Sequence, residues 1–511
     1  MSEAAPKAEA GEYRSRDVSP VPTTRRLGSR AFSLGVASAF DYAVQFLLPV
    51  VLARCLDAEA FGEYRLLWLA VGTVMAIGCM AMPGSLYYFL PRSDSATKRL
   101  YINQTLLFLA FSGLIAGWAI SSWNPWLPEK MHVLARHEPM VPAFVLLWMF
   151  ASLLDVLPTI EERVMWQTKA TVGLAGLRAV ALSLAAILTR ELEPVLLVLL
   201  AFVAFKVALL LGYVARYHGL RGPILRGGVF ADQLRYSVPF GAAGTLYGLR
   251  LLADQWVVAA LFPLAMFASF SIAAVLGPLV NLFRQSVSGA FLPGMSRLQA
   301  AGDIPAMLDL NRRANVMVGM FVFPLLAFAF VFAEEVVTAI YTAAYVDAAP
   351  VMRVYIVGLT ALVVELASIM MLLRQGTFML RLNAVVLILS VALSWYAAHG
   401  IGFIGAAAGS VTGVYIEIGA TLWRITVRTG IPFRRLQDWR TLGLLMLFVT
   451  FAGVLAWGLV GRYFSDSGPL VRLAFGGAVM AIAYAALLGP YAIGRGWLNV
   501  GRNPVTLNPR H

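Results

Sequence analysis

Fourteen stretches of the chain run continuously apolar for about the thickness of a bilayer's hydrocarbon core, and no other feature restricts the fold as strongly. They fall at about 31–53, 61–82, 100–122, 140–157, 170–188, 195–215, 236–260, 265–291, 314–333, 351–373, 382–398, 401–423, 441–461 and 473–494. A helix needs about 20 residues to cross such a core. The runs do not alternate between apolar and polar, so they predict helices and not barrel strands. Hydrophobic residues make up 60% of the 511 and charged ones 13%. A water-soluble globule cannot cover that much apolar surface. The expected fold class is an all-α integral membrane protein of about fourteen transmembrane helices. Fourteen spans consume about 280 residues, which leaves no room for a large soluble domain.

Loop charge tests the count and sets an orientation. With the N-terminus cytoplasmic and Arg54 counted at the end of its span, the inside segments hold 28 Lys and Arg and the outside loops hold 5. That asymmetry is what the positive-inside rule predicts, and one missed helix would scramble it. The net charge of +13 thus reads as loops facing anionic lipid and not as a nucleic-acid surface. Residues 1–30 form a polar cytoplasmic tail with no signal-peptide core. The domain reading is an N-lobe over 31–215, a basic linker over 216–235, a C-lobe over 236–424, two extra helices within 425–494 and a tail over 495–511. Cys55 and Cys79 fall towards opposite ends of their spans, too far apart to bridge.

The longest outside loops, around Trp123–Pro139 and Glu334–Ala349, are short for a membrane polymerase or glycosyltransferase. No nucleotide-binding, zinc-protease or nucleophile-elbow motif occurs. The five histidines are scattered; His132 and His137 share one loop, which reads as solvated. The sequence therefore predicts no enzyme, no catalytic residues, no metal and no cofactor.

A charge at mid-membrane costs a few kcal/mol even on lenient scales, about 2.5–3.5 kcal/mol. Intramembrane charges are therefore the informative residues: Asp41, Arg65, Arg178, Lys206, Arg250, Asp254, Arg284, Glu365 and Glu417. Ser38, Asp41 and Gln45 fall at helical steps of three and four, as do Tyr247, Arg250 and Asp254, and Asn281, Arg284 and Ser288. Three polar stripes on spans 1, 7 and 8 suggest one hydrated central cavity. Arg250 and Asp254, four residues apart, are alternatively a self-neutralising pair. Arg65 lies near a span end and is alternatively a snorkelling side chain, and Lys206 reads the same way. Glu417 has no cation on its own helix and is either protonated against a neighbour or a proton site.

The halves repeat weakly. Met82-Pro83-Gly84 and Leu292-Pro293-Gly294 end spans 2 and 8 at an offset of 210, and Gln45 and Gln255 share that offset. Two parallel six-helix lobes follow, with spans 13 and 14 outside the repeat. Leu56-Asp57-Ala58-Glu59-Ala60-Phe61-Gly62-Glu63-Tyr64 resembles the junction between the first two helices of polysaccharide flippases. Tyr236-Ser237-Val238-Pro239 with Asp254-Gln255 resembles their seventh helix, and Leu292-Pro293-Gly294-Met295-Ser296-Arg297 the end of their eighth. Tyr345-Val346-Asp347-Ala348-Ala349-Pro350 is similar to the lead into their tenth, and Gly402-Phe403-Ile404-Gly405-Ala406-Ala407 to the start of their twelfth.

The resemblance implies a Wzx-type flippase of the multidrug/oligosaccharidyl-lipid/polysaccharide (MOP) exporter superfamily. Such a protein moves undecaprenyl-pyrophosphate-linked oligosaccharide from the inner to the outer leaflet of the bacterial inner membrane. Its implied partners are the lipid-linked oligosaccharide, membrane lipids, and polysaccharide polymerase and chain-length machinery, with no nucleic acid. The residues fit an anionic lipid-linked sugar. Arg65, Arg250 and Arg284 offer forked donors to pyrophosphate, while Gln45, Asn281 and Tyr247 offer polar and stacking contacts to sugars. The ion-coupling candidates are Asp41 and Asp254, ahead of Glu365 and Glu417. Asp41 leads because its own helix holds no cation within a turn, whereas Arg250 stands beside Asp254. A drug/cation antiporter of the same superfamily would want more acidic than basic cavity residues. A peptidoglycan-precursor flippase would want a denser arginine set in the first two helices than Arg30, Arg54 and Arg65 provide.

Overall fold

The computed structural model describes residues 24–219 and 222–494. Residues 1–23 and 495–511 of the expected tails, and 220–221 of the expected linker, lie outside them. Every regular element among the described residues is helical. The long helices are α1 (Thr24–Cys55), α2 (Ala58–Gly78), α3 (Ser95–Ile120), α4 (Met140–Ile160), α5 (Val164–Thr189), α6 (Leu192–His218) and α7 (Gly227–Leu261). They continue as α8 (Leu264–Ala300), α9 (Ile304–Val331), α10 (Ala348–Leu362, resumed at Ala367–Leu372), α11 (Gly376–Ile401), α12 (Phe403–Thr429), α13 (Trp439–Tyr463) and α14 (Pro469–Gly494).

Twelve of these are long and apolar enough to cross a membrane. The other two, α7 and α10, coincide with the seventh and tenth expected spans, so the fold is compatible with fourteen. α7 is 35 residues long but carries Asp232, Arg235, Arg250 and Asp254. α10 is broken into pieces of 15 and 6 residues. Two boundaries differ from the sequence reading. α2 stops at Gly78 because Met80 and Ala81 take positive φ, and Met82-Pro83 opens a separate helix, Met82–Phe89. Leu292-Pro293-Gly294 does not end α8, which runs through Pro293 to Ala300.

The helix pairing repeats. In the first half α1 packs on α5, α3 on α4, α4 on α6 and α5 on α6. In the second half α7 packs on α11, α9 on α10, α10 on α12 and α11 on α12. Each pair recurs six helices later, which is the two-lobe arrangement expected of parallel repeats. α13 and α14 pack on each other and against α9, outside the repeat. Inside the C-lobe, Gly405, Gly409 and Gly413 form a four-residue stripe that presses α12 onto the backbone of Ala397 and Ser394 and the Ser390 side chain of α11. Small residues drive such contacts because hydrocarbon leaves packing, not water exclusion, to hold helices together.

The lobes meet along α2. The last turns of α2 run beside α7, where Thr245 donates to the Ala76 carbonyl at 2.6 Å and Trp256 to Thr73 at 2.8 Å. At the end farther from the basic segments, Gly62 lies directly against the Leu264 carbonyl. Beside it, Arg65 donates to the hydroxyl and carbonyl of Ser271 at 2.9 and 3.3 Å. Arg54 donates to the carbonyls of Ala339 and Ile340, and Phe61 meets Tyr345 edge-on at 5.8 Å. Burial pushes the Tyr345 hydroxyl up to about 12, so this contact is neutral in ordinary conditions. Beyond Val275, α8 leaves the N-lobe and packs on α9, while α1 leans on α5. Val36, Phe40 and Leu47 of α1 and Leu279 of α8 are exposed.

A side chain at residue 62 would collide with the Leu264 backbone and hold the lobes apart. Gly62→Leu, with Cys55 and Cys79 replaced, is expected to lengthen the distance between spin labels at the exposed positions 59 and 347. An unchanged distance distribution would show that this contact does not close the lobes.

Candidate functional site

The three polar stripes do not converge on one cavity. The first turns into the N-lobe. Gln45 Nε2 donates to Asp41 Oδ2 at 2.7 Å, and Arg178 Nη2 from α5 reaches Asp41 Oδ1 at 3.1 Å. Lys206 of α6 pairs with Asp155 of α4 at 2.8 Å, with its ammonium 5.1 Å from the Trp148 ring centroid. These groups, with Gln167 and Thr171, enclose a cavity of about 180 Å³. Two expectations change. Asp41 has a cation, supplied by another helix. Lys206, only 7% exposed, does not snorkel outward but neutralises a carboxylate.

The second stripe faces the C-lobe. Arg250 does not pair with Asp254; its guanidinium binds the Glu417 carboxylate of α12 and lies 5.4 Å from the Tyr247 ring. Glu417 therefore has a cation after all, across a helix boundary. Asp254, 3% exposed, accepts from the Tyr355 hydroxyl and the Gln255 amide, both at 2.8 Å, and makes no ion pair among the described residues. Asp254, Arg250, Gln255, Tyr355, Ser390 and Ser410 border a cavity of about 150 Å³. Tyr247 is 43% exposed beside it.

The third stripe lies deeper towards the basic end. Arg284 Nη2 donates to Asn281 Oδ1 at 3.0 Å, its Nε is buried without a partner, and no carboxylate among the described residues pairs with it. Ser288 meets Ser368 at 2.9 Å. Beside them α10 breaks between Val363 and Leu366. The break exposes backbone groups that hydrocarbon cannot satisfy. Asn315 Oδ1 accepts from the Glu365 amide at 3.2 Å, Asn311 donates to the Glu365 carbonyl at 3.2 Å, and the Glu365 carboxylate caps the Ser368 amide at 3.1 Å. Glu365 is thus occupied holding a helix break.

Arg65 falls at the lobe contact and in none of these cavities. The sequence reading passed over Asp155, Tyr355, Ser410, Asn311 and Asn315. Asp155 carried a usable signal: it lies 210 residues before Glu365, the offset of the internal repeat. Both sit at helix breaks in corresponding spans, since α4 tightens into a 3₁₀ turn over Ser152–Asp155.

A sequence-family model described as polysaccharide biosynthesis protein matches residues 51–350. No curated protein matches the chain by sequence. Among solved structures, the lipid II flippase MurJ in an inward closed conformation has a TM-score of 0.64 at 12% identity, covering 89% of this chain and 98% of that one. An inward-facing multidrug resistance MATE family transporter of the MOP superfamily gives 0.58 at 11% identity, covering 76% and 95%. A MOP superfamily transporter from Pyrococcus furiosus, described as having a binding pocket of reverse polarity, gives 0.50 at 13%, covering 78% and 96%. At such identities these likenesses speak for the fold, while the family model covers more than half of the chain. The chain therefore belongs to the polysaccharide biosynthesis protein family, as a multi-pass membrane protein with the fold seen in MOP-superfamily flippases and transporters.

Proposed function

We propose that the protein flips undecaprenyl-pyrophosphate-linked oligosaccharide from the inner to the outer leaflet of the bacterial inner membrane, by alternating access of its two lobes. The observation that carries this reading is the charge left over. Arg65 is engaged by Ser271, Arg178 by Asp41, Lys206 by Asp155 and Arg250 by Glu417. Arg284 alone of the candidate cations has neither a carboxylate nor a main-chain carbonyl from another helix among the described residues. A cation kept without a counter-ion inside a bilayer is costly unless its partner arrives as a ligand. Pyrophosphate oxygens match the forked donors of a guanidinium. In this reading the polyprenyl chain stays in lipid at a lateral opening between the lobes while the head group enters. The family's place in polysaccharide biosynthesis supports a glycan on that head group. In this reading the protein does no covalent chemistry, and its partners include the polymerase and chain-length machinery that take the product.

The basic segments set the orientation, with both termini cytoplasmic. Reporter fusions are expected to read cytoplasmic within 424–440 and periplasmic within 334–349. A cytoplasmic signal at 334–349 would overturn the topology.

Arg284→Ala is expected to lose export more completely than Arg284→Lys at equal protein abundance. A charge-assisted hydrogen bond is worth about 1.5–3 kcal/mol, enough to weaken binding roughly tenfold or more. Normal export by the Ala variant would make Arg284 a structural residue.

Energy coupling moves to a different carboxylate from the one that leads in sequence. Asp41 and Glu417 each have an internal cation, and Glu365 caps a helix. Asp254 has no internal counter-ion and borders a cavity, so it is free to take a proton or a sodium ion from outside. Asp254→Asn is expected to make flipping in proteoliposomes insensitive to an imposed proton or sodium gradient. Asp41→Asn is expected to retain the gradient response. A wild-type response from the Asp254 variant would remove Asp254 from this role.

A further inference from the structure

Where the first turns of α7 meet the N-lobe, an aromatic cluster borders neither cavity. The helix Met82–Phe89 of the N-lobe and the first turns of α7 supply it. Tyr88 stacks on Tyr236 at 4.7 Å with the rings 21° apart. Phe89 stacks on Tyr101 at 4.7 Å and meets Tyr236 edge-on at 5.5 Å. Phe240 leans on Tyr236 at 5.4 Å, and the Arg92 guanidinium lies 4.2 Å over the Tyr88 ring. The stack joins the two lobes, yet it is not closed over. Phe240 is 65% exposed, Tyr87 52% and Tyr88 42%.

Tyr236 falls on the stripe of α7 that continues to Tyr247 and to Asp254 at the C-lobe cavity. At about 100° per residue, Tyr236 and Asp254 are separated by about five whole turns, and Tyr247 lies close to the same line. Pro239 lies inside the helix between them, and Phe240 and Tyr247, both beyond it, are exposed. Gln233, Ser237 and Gly241, about 60–140° round the helix from Tyr236, are buried against Ser85, Met82 and Met80 of the N-lobe. Interfacial aromatics that anchor a helix in lipid hold their polar tips at the head-group level. Here the rings instead stack face to face between lobes, with an arginine laid over one of them.

We propose that Phe240, backed by Tyr236 and Tyr88 and flanked by Arg92, is a docking platform for the pyranose rings of the lipid-linked head group as it enters between the lobes. The proposal rests on the function proposed above and names the subsite that reads the sugar. A pyranose presents axial C–H bonds on one face, apolar and slightly positive. That face is complementary to the electron-rich face of an aromatic ring, as a cation is. Sugar hydroxyls at the ring edge meet the arginine, which spends one donor on the Tyr88 carbonyl at 2.7 Å and has others to give. Stacking of this kind reads ring shape more than identity, so the platform accepts more than one sugar. Arg284 is left to the pyrophosphate.

The test compares two probes on the purified full-length chain in nanodiscs: undecaprenyl diphosphate, and undecaprenyl diphosphate carrying one N-acetylglucosamine. Wild type is expected to bind the sugar-bearing lipid about tenfold more tightly. Phe240→Ala should bring the two affinities together without weakening the bare lipid, and Phe240→Tyr should keep the preference within about twofold. Phe240 is exposed, so its replacement leaves the packed core intact. A wild-type preference in the Ala variant, or equal binding of both probes by wild type, would overturn the platform and leave the flippase reading standing. Wild type that binds neither lipid would overturn that reading and the platform with it.

Discussion

A charge in hydrocarbon must find a partner, and in this protein it finds one on another helix. Asp41 to Arg178 ties α1 to α5, Lys206 to Asp155 ties α6 to α4, and Arg250 to Glu417 ties α7 to α12. All three pairs lie within a lobe. Arg250 and Glu417 are both largely buried, and removing one of them would leave an uncompensated charge at a cost of about 3–5 kcal/mol. Each lobe is therefore fastened internally by ion pairs. The contacts between lobes are of another kind: Arg54 and Arg65 on carbonyls and a hydroxyl, a glycine against a carbonyl, a tyrosine on a phenylalanine. This contrast between rigid lobes and a lighter seam is the mechanical condition for rocking one against the other.

The repeat carries chemistry as well as shape. Asp155 and Glu365 mark equivalent breaks, but the two lobes satisfy them differently. In the N-lobe a lysine answers the carboxylate, and the cavity around it contains two acids and two bases. In the C-lobe two asparagines answer the backbone, the carboxylate caps an amide, and no cation joins it. Around Asp155 the N-lobe thus closes its own electrostatics. The C-lobe leaves a cation at Arg284 and a carboxylate at Asp254 without internal counter-ions. The asymmetry singles out the C-lobe as the half whose charges wait for ligands.

The fold was largely legible in sequence because bilayer thickness acts on single helices. Fourteen spans, their order and the two lobes followed from apolar runs, loop charge and the 210-residue offset. The site was less legible because a partner is chosen by helix rotation, which the spacing along one helix does not contain. Arg250 stands one turn from Asp254, yet its side chain is turned to Glu417. Asp41 has no cation nearby on α1, yet Arg178 lies 137 residues away in sequence and 3.1 Å away in space. Each stripe was correct as a stripe. What failed was the inference that three stripes share one cavity, since a helix at the lobe boundary also has a face buried in its own lobe.

The seam is also the place where opening is affordable. Arg54 and Arg65 donate to neutral oxygens, and among the described residues no ion pair joins the lobes. Hydrogen bonds to a charged donor are worth about 1.5–3 kcal/mol each. Arg54 lies in the last turn of α1, where a long side chain can turn its head to water once the carbonyl withdraws. The net cost is then well below the sum of the bonds lost. A gap of a few kcal/mol keeps a minor state populated at the level of about 0.1–10%. A ligand that binds the other state more tightly can then shift the balance, which an ion-paired seam of the kind found inside each lobe would oppose.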